Sequence, residues 1–146
     1  MKSFLIASLI AACATPVTQA PPQNPKPAEP VFEIEHKKDA GDAVTSTAIL
    51  YADGAWTYED STGIKHAGQL PVADVAAVRA KLAGATWTVE PDEGVHCMAM
   101  AADYYQYSAL GKPVWTARTC SGTHLDATSQ AAFESAVTLL TSVAKA

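Results

Sequence analysis

Basic clusters are missing from this chain: no run of Lys or Arg is longer than Lys37-Lys38, and the formal net charge is -5. Nucleic acids and anionic membrane faces are gripped through dense positive charge, so neither nucleic acid nor such a surface is expected as the main partner. Long apolar runs are missing too. The run from Phe4 to Ala12 falls short of the about 20 residues that a membrane-spanning helix needs. No stretch carries a catalytic or nucleotide-binding signature. Aromatic residues are only 8% of the chain, yet hydrophobic residues reach 49%, which suits a folded protein with one modest core.

What is present first is an export signal. Met1-Lys2 supplies a short positive start, and the apolar run ends in Ile10-Ala11-Ala12-Cys13. These four residues resemble the lipobox of bacterial lipoproteins, in which a branched aliphatic residue and two small residues precede an obligatory cysteine. The resemblance covers the export signal alone. It implies cleavage before Cys13, acylation of the Cys13 thiolate (palmitate among its chains) and attachment to a membrane. Residues 1–12 are then a signal peptide, and loss of Lys2 takes the charge from -5 to -6. Ala14 is not the Asp that directs inner-membrane retention, so an outer membrane is implied where the host has one. The competing expectation is a secreted or periplasmic protein cleaved after Ala14, with Ala12 and Ala14 as the small-residue site.

Six of the nine prolines lie between Pro16 and Pro30. Such a stretch runs as polyproline II at ~3.1 Å per residue, a tether of up to ~50 Å over residues 13–30. A single domain is expected over 31–146. Val31–His36 alternates apolar and acidic residues as a half-buried strand does. Strands at Thr45–Ala52 and Ala55–Asp60 flank Asp53-Gly54, a two-residue turn signal that would pair Tyr51 with Trp56 and Ile49 with Tyr58.

Pro71 opens a helix to Ala83 with Val72, Val75, Val78 and Leu82 on one stripe. Thr86–Glu90 alternates again. Met98–Tyr107 and Pro113–Cys120 form a hairpin around Leu110-Gly111, in which Ala109 facing Lys112 sets Asp103 opposite Arg118. That register puts Tyr104, Trp115 and Ala117 on the core face with Met98, Met100 and Ala102, and turns Tyr105 and Tyr107 outward. A last helix from Thr128 to Ala144, capped by Asp126 or Thr128, presents Phe133, Val137, Leu140 and Ala144. The fold class predicted is α+β, an antiparallel sheet in the order β-ββ-α-β-ββ-α with two helices packed on one face.

Of the three cysteines, acylation of Cys13 leaves Cys97 and Cys120 as a disulfide pair. With 22 residues between them, the bond would stabilise by about 3 kcal/mol. The register places Cys120 opposite Ala101, ~13 Å along the strand from Cys97, so the strand must bend or the register is wrong.

Other constellations are weaker. His96-Cys97 and Cys120 with His124 contain the ligand types of a zinc site, but neighbours on a strand point to opposite faces and oxidation competes, so neither metal nor cofactor is expected. Ser121, His124 and Asp126 lie too close in sequence for a catalytic triad, whose members converge from separate segments. Tyr105 and Tyr107 could form a binding surface or simply cover the outer sheet face. The function expected is non-enzymatic: a cell-envelope domain that binds an envelope protein. The alternatives are a protease-inhibitor-like module, for which no reactive loop stands out, and a small hydrolase or metal-dependent enzyme using His96 and His124.

Overall fold

The computed structural model describes residues 28–38, 43–93, 103–118 and 122–143. Its elements are β1 (Pro30–Lys38), β2 (Ala43–Tyr51), β3 (Ala55–Glu59), β4 (Lys65–Gln69), α1 (Val72–Gly84), β5 (Val89–Pro91), β6 (Asp103–Ala109), β7 (Lys112–Arg118), β8 (Thr123–Leu125) and α2 (Ala127–Val143). The α+β class holds, with a six-stranded antiparallel sheet ordered β4-β3-β2-β1-β6-β7. The order along the chain differs from the predicted one through two added strands, β4 and β8, the latter pairing with β5 in a separate ladder. No helix among the described residues is long and apolar enough to cross a membrane.

The centre of the sheet is β1, whose alternation works as expected. Phe32 pairs with Leu50 on one side and Ala109 on the other, and Ile34 pairs with Ala48 and Tyr107. A bulge between Pro30 and Phe32 lets the consecutive residues Val31 and Phe32 both enter the core. Glu33 and Glu35 take the opposite, polar face, where Lys37 bonds Glu35 at 3.0 Å and Gln106 at 2.8 Å. Partial burial there, reinforced by the neighbouring charge of Glu35, raises the Glu33 carboxyl above its ordinary pKa against the opposing pull of Lys37.

Both helices supply the same core. Val75, Val78 and Leu82 of α1 and Ala132, Ala136 and Leu140 of α2 are buried with Val31, Phe32, Leu50 and Ala109. The expected stripes were close but not identical: Val72 is 55% exposed, and α2 buries its small residues Ser129, Ala132 and Ala136 most deeply, with Phe133 and Val137 beside them. Pro71 precedes the first helical residue, its carbonyl accepting from Asp74 and Val75.

Two hairpin registers depart from the sequence reading, each by one residue. Asp53-Gly54 is not a two-residue turn: Gly54 N donates to Tyr51 O, and Ala52, Asp53 and Gly54 form a three-residue loop closed by Gly54 at φ 89°. Leu50 therefore pairs with Trp56 and Ala48 with Tyr58. In the β6–β7 hairpin, Leu110-Gly111 is the two-residue turn expected, with both residues at positive φ and Ala109 opposite Lys112. An irregularity after Ser108–Pro113 then shifts the ladder, so Tyr107 pairs with Trp115 and Tyr104 with Arg118.

That single step reverses the faces of β6. Tyr107 lies under α2, stacked on Trp115 at 5.5 Å and edge-on to Phe133 at 4.8 Å, rather than outside the core. The Arg118 guanidinium sits over the Tyr104 ring at 4.7 Å in place of an Asp103 partnership, and Asp103 approaches His36 instead.

The expected strand over Thr86–Glu90 is cut short because Trp87 takes φ 57°, a conformation that bulky residues rarely adopt. Asp126 holds it there. Its Oδ2 accepts from Thr86 Oγ1, Thr88 N and Ser129 Oγ, while its Oδ1 accepts from Thr128 N and Ser129 N as the cap of α2. Ser129 Oγ in turn accepts from Trp87 N at 2.9 Å. These bonds, that from the Ser129 hydroxyl foremost, hold the Asp126 carboxyl far below the ordinary carboxylate range.

Candidate functional site

The sheet is wider than the pair of helices laid on it, and what they leave bare follows from side-chain parity. On the helix side, β3 presents Trp56 and Tyr58, and β4 presents Gly68 and His66 opposite them. Trp56 lies flat across Gly68: a Cβ there would come within 2.8 Å of the indole, so only glycine fits. The Tyr58 and His66 rings stack at 6.0 Å. Facing these aromatics is the C-terminal turn of α2, with Leu140, Thr141 and Val143, and the floor between is Ile34 and Ala48. The result is an open groove of about 840 Å³ that, among the described residues, bears no carboxylate, thiol, Lys or Arg on its walls.

A second aromatic patch lies along β1 and β6. His36 stacks on Tyr105 at 4.7 Å, and Tyr105 is 44% exposed. The His36 Nδ1 is 2.8 Å from Thr45 Oγ1, whose hydroxyl is also within 3.0 Å of the His36 carbonyl. Asp103 Oδ2 stands 3.6 Å from Nε2. The geometry binds the ring to its neighbours and puts two acceptors within reach of the Thr45 hydroxyl, the His36 imidazole and the His36 carbonyl. Of the two tyrosines expected on a binding surface, Tyr107 is absorbed into the cluster with Phe32, Trp115 and Phe133, and burial raises its hydroxyl pKa, helped by Tyr105. Tyr105 alone remains accessible enough to contact a partner.

His124 is on β8, opposite Glu90 of β5. Its Nδ1 is 2.6 Å from Asp92 Oδ1 and its Nε2 is 3.3 Å from Glu90 Oε2. With both nitrogens facing carboxylates, the imidazole has no lone pair aimed at a hydroxyl, as a general base must. The side chain is 52% exposed and stands outside the groove. Among the described residues, no group of three His, Cys, Asp or Glu side chains is arranged to hold a metal ion. Cys13, His96, Cys97, Cys120 and Ser121 lie outside the described residues, as do Met98, Met100, Ala102 and Ala144.

The groove was not expected from the sequence. Trp56 and Tyr58 were legible as alternating strand residues, but β4, whose Lys-His-Ala-Gly-Gln run contains no β-branched residue and no apolar alternation, gave no strand signal. Its position is set by the turn before it. Asp60 Oδ1 accepts from Thr62 N, Thr62 Oγ1 and Ile64 N, and Gly63 takes φ 82° to bring the chain back along β3. Comparison with protein-family models, curated proteins and solved structures finds no match to the chain.

Proposed function

We propose that this protein is an exported lipoprotein, anchored through Cys13 and held off the membrane by its proline-rich segment, whose domain acts by binding an envelope protein and not by catalysis. The observation that carries the reading is the composition of the groove. Trp56, Tyr58, Ile34 and Leu140 offer apolar and aromatic surface, and among the described residues the Tyr58 phenol and the His66 imidazole are its ionisable side chains. Such walls suit an apolar or aromatic side chain of a partner, whose desolvation supplies the affinity. Among the described residues they pair no nucleophile with a base. The enzyme reading loses support from His124, engaged by two carboxylates on an exposed ladder.

Site-specific photo-crosslinking in the producing cell tests this. A benzophenone amino acid in place of Tyr58, at the groove rim, should give one adduct with a different protein, while the same probe in place of Thr47, on the opposite sheet face, should give none. Adducts from Thr47 alone, or none from Tyr58, would overturn the assignment of the groove.

A further inference from the structure

The six-stranded sheet has two edges, β4 and β7. The β7 edge is defended: Pro113 lacks a donor, the ladder is irregular beside it, and Lys112 and Arg118 stand at the ends. The β4 edge has neither proline nor bulge, and all of its residues are exposed. Which of its backbone groups are free follows from the register. Leu70 N donates to Gly54 O, and Asp60 N donates to Ile64 O. In an antiparallel ladder bonded pairs alternate, so Gly68 bonds Trp56 and His66 bonds Tyr58. Lys65, Ala67 and Gln69 therefore point N–H and C=O away from β3, toward the open edge.

We infer that this edge pairs with the same edge of a second copy, through a two-fold axis at Ala67. An antiparallel match centred there uses all five residues of β4. It makes Ala67–Ala67, Lys65–Gln69 and Gln69–Lys65 the bonded pairs, so that every outward group of the strand is satisfied. Shifting the centre to His66 or Gly68 shortens the ladder, and the first sets His66 against its own copy. With the axis at Ala67, each Lys65 faces a Gln69 and not another cation. Each His66 falls opposite the partner's Gly68, against the Trp56 indole that lies over that glycine, so a ring covers the bare position on both sides of the axis. The pairing runs along the edge of β4, whose His66, Ala67, Gly68 and Gln69 also line the groove, so crosslinks from Tyr58 to a second copy report the pairing and adducts with a different protein report the binding role proposed above.

A strand pair of this length buries less than the ~1,200 Å² typical of stable complexes, so the dimer is weak, with Kd on the order of 100 µM. Sedimentation equilibrium on the mature chain carrying Cys13→Ser, over roughly 10 µM to 1 mM, should show reversible dimerisation. Ala67→Lys and Ala67→Glu each set like charges against one another at the axis and should raise Kd at least tenfold, while an equimolar mixture of the two should dimerise at least as well as the unsubstituted chain. Thermal melts should show all three proteins folded, because Ala67 is exposed. A monomer at every concentration, a Lys variant that dimerises normally, or a Lys and Glu mixture that stays monomeric would overturn the inference. So would a β4 edge that pairs only with a foreign extended peptide.

Discussion

Phe133 offers the sharpest test of how α2 sits on the sheet. Its ring is edge-on to three others: Phe32 at 6.1 Å, Tyr107 at 4.8 Å and Trp115 at 5.3 Å, with interplanar angles of 70°, 90° and 85°. Truncating a fully buried Phe to Ala costs about 3–5 kcal/mol, and Phe133, which is partly buried, belongs at the lower end, about 3 kcal/mol. Phe133→Leu keeps most of the apolar volume but loses the ring edges, each worth about 0.5–1.5 kcal/mol. Because Leu recovers part of that as aliphatic contact, the expected loss is about 1.5 kcal/mol, a fall in Tm of roughly 6 °C or more.

The assay is urea and thermal unfolding of Phe133→Leu, Tyr107→Leu and the double variant. The cycle should give a coupling of about 0.5–1.5 kcal/mol, because the two rings touch. A coupling of zero within about 0.3 kcal/mol would mean that Tyr107 faces away from α2, as an unbroken β6–β7 ladder would require, and the aromatic cluster would be wrong.

Three further outcomes are expected. The Asp126 carboxyl has a folded pKa below its unfolded value of about 3.9, so the stability it contributes is complete above that value and is lost as pH falls through the lower folded one. Asp126→Ala should lower Tm near neutrality, with the gap to wild type closing below about pH 4; a gap unchanged at about pH 2 would refute the role. Cys97 and Cys120 should be disulfide-bonded, since they lie on the two connections that join the β5–β8 ladder to the β6–β7 hairpin, and the ends of those connections are adjacent, Asp92 N donating to Gly122 O at 2.7 Å and Tyr104 standing opposite Arg118 in the ladder. Removing both cysteines should cost about 2–5 kcal/mol, and non-reducing peptide mapping that finds two free thiols would dismiss the bond. Cys13→Ser should move the protein from the membrane to the soluble fraction, and an intact mass without acyl chains on the wild-type protein would exclude lipidation.

The sequence by itself determined the α+β class, the two helices and the central strand. Period-2 alternation at Phe32 and Ile34 and the apolar spacing of Val75, Val78 and Leu82 follow from which face must leave water, and that is a local property. The cap of α2, expected at Asp126 or Thr128 and found at Asp126, and the Leu110-Gly111 turn were legible for the same reason: their chemistry acts within a few residues. Tertiary structure decided the registers. One extra residue in a hairpin costs little locally but turns every following side chain to the other face, so whether Tyr107 sits inside or outside is settled by the fit of Phe133 and Trp115 around it. It also decided the groove. Lys65–Gln69 has no strand-forming composition of its own; it is a strand because Asp60 and Gly63 return the chain along β3 and because Gly68 is small enough to lie beneath Trp56.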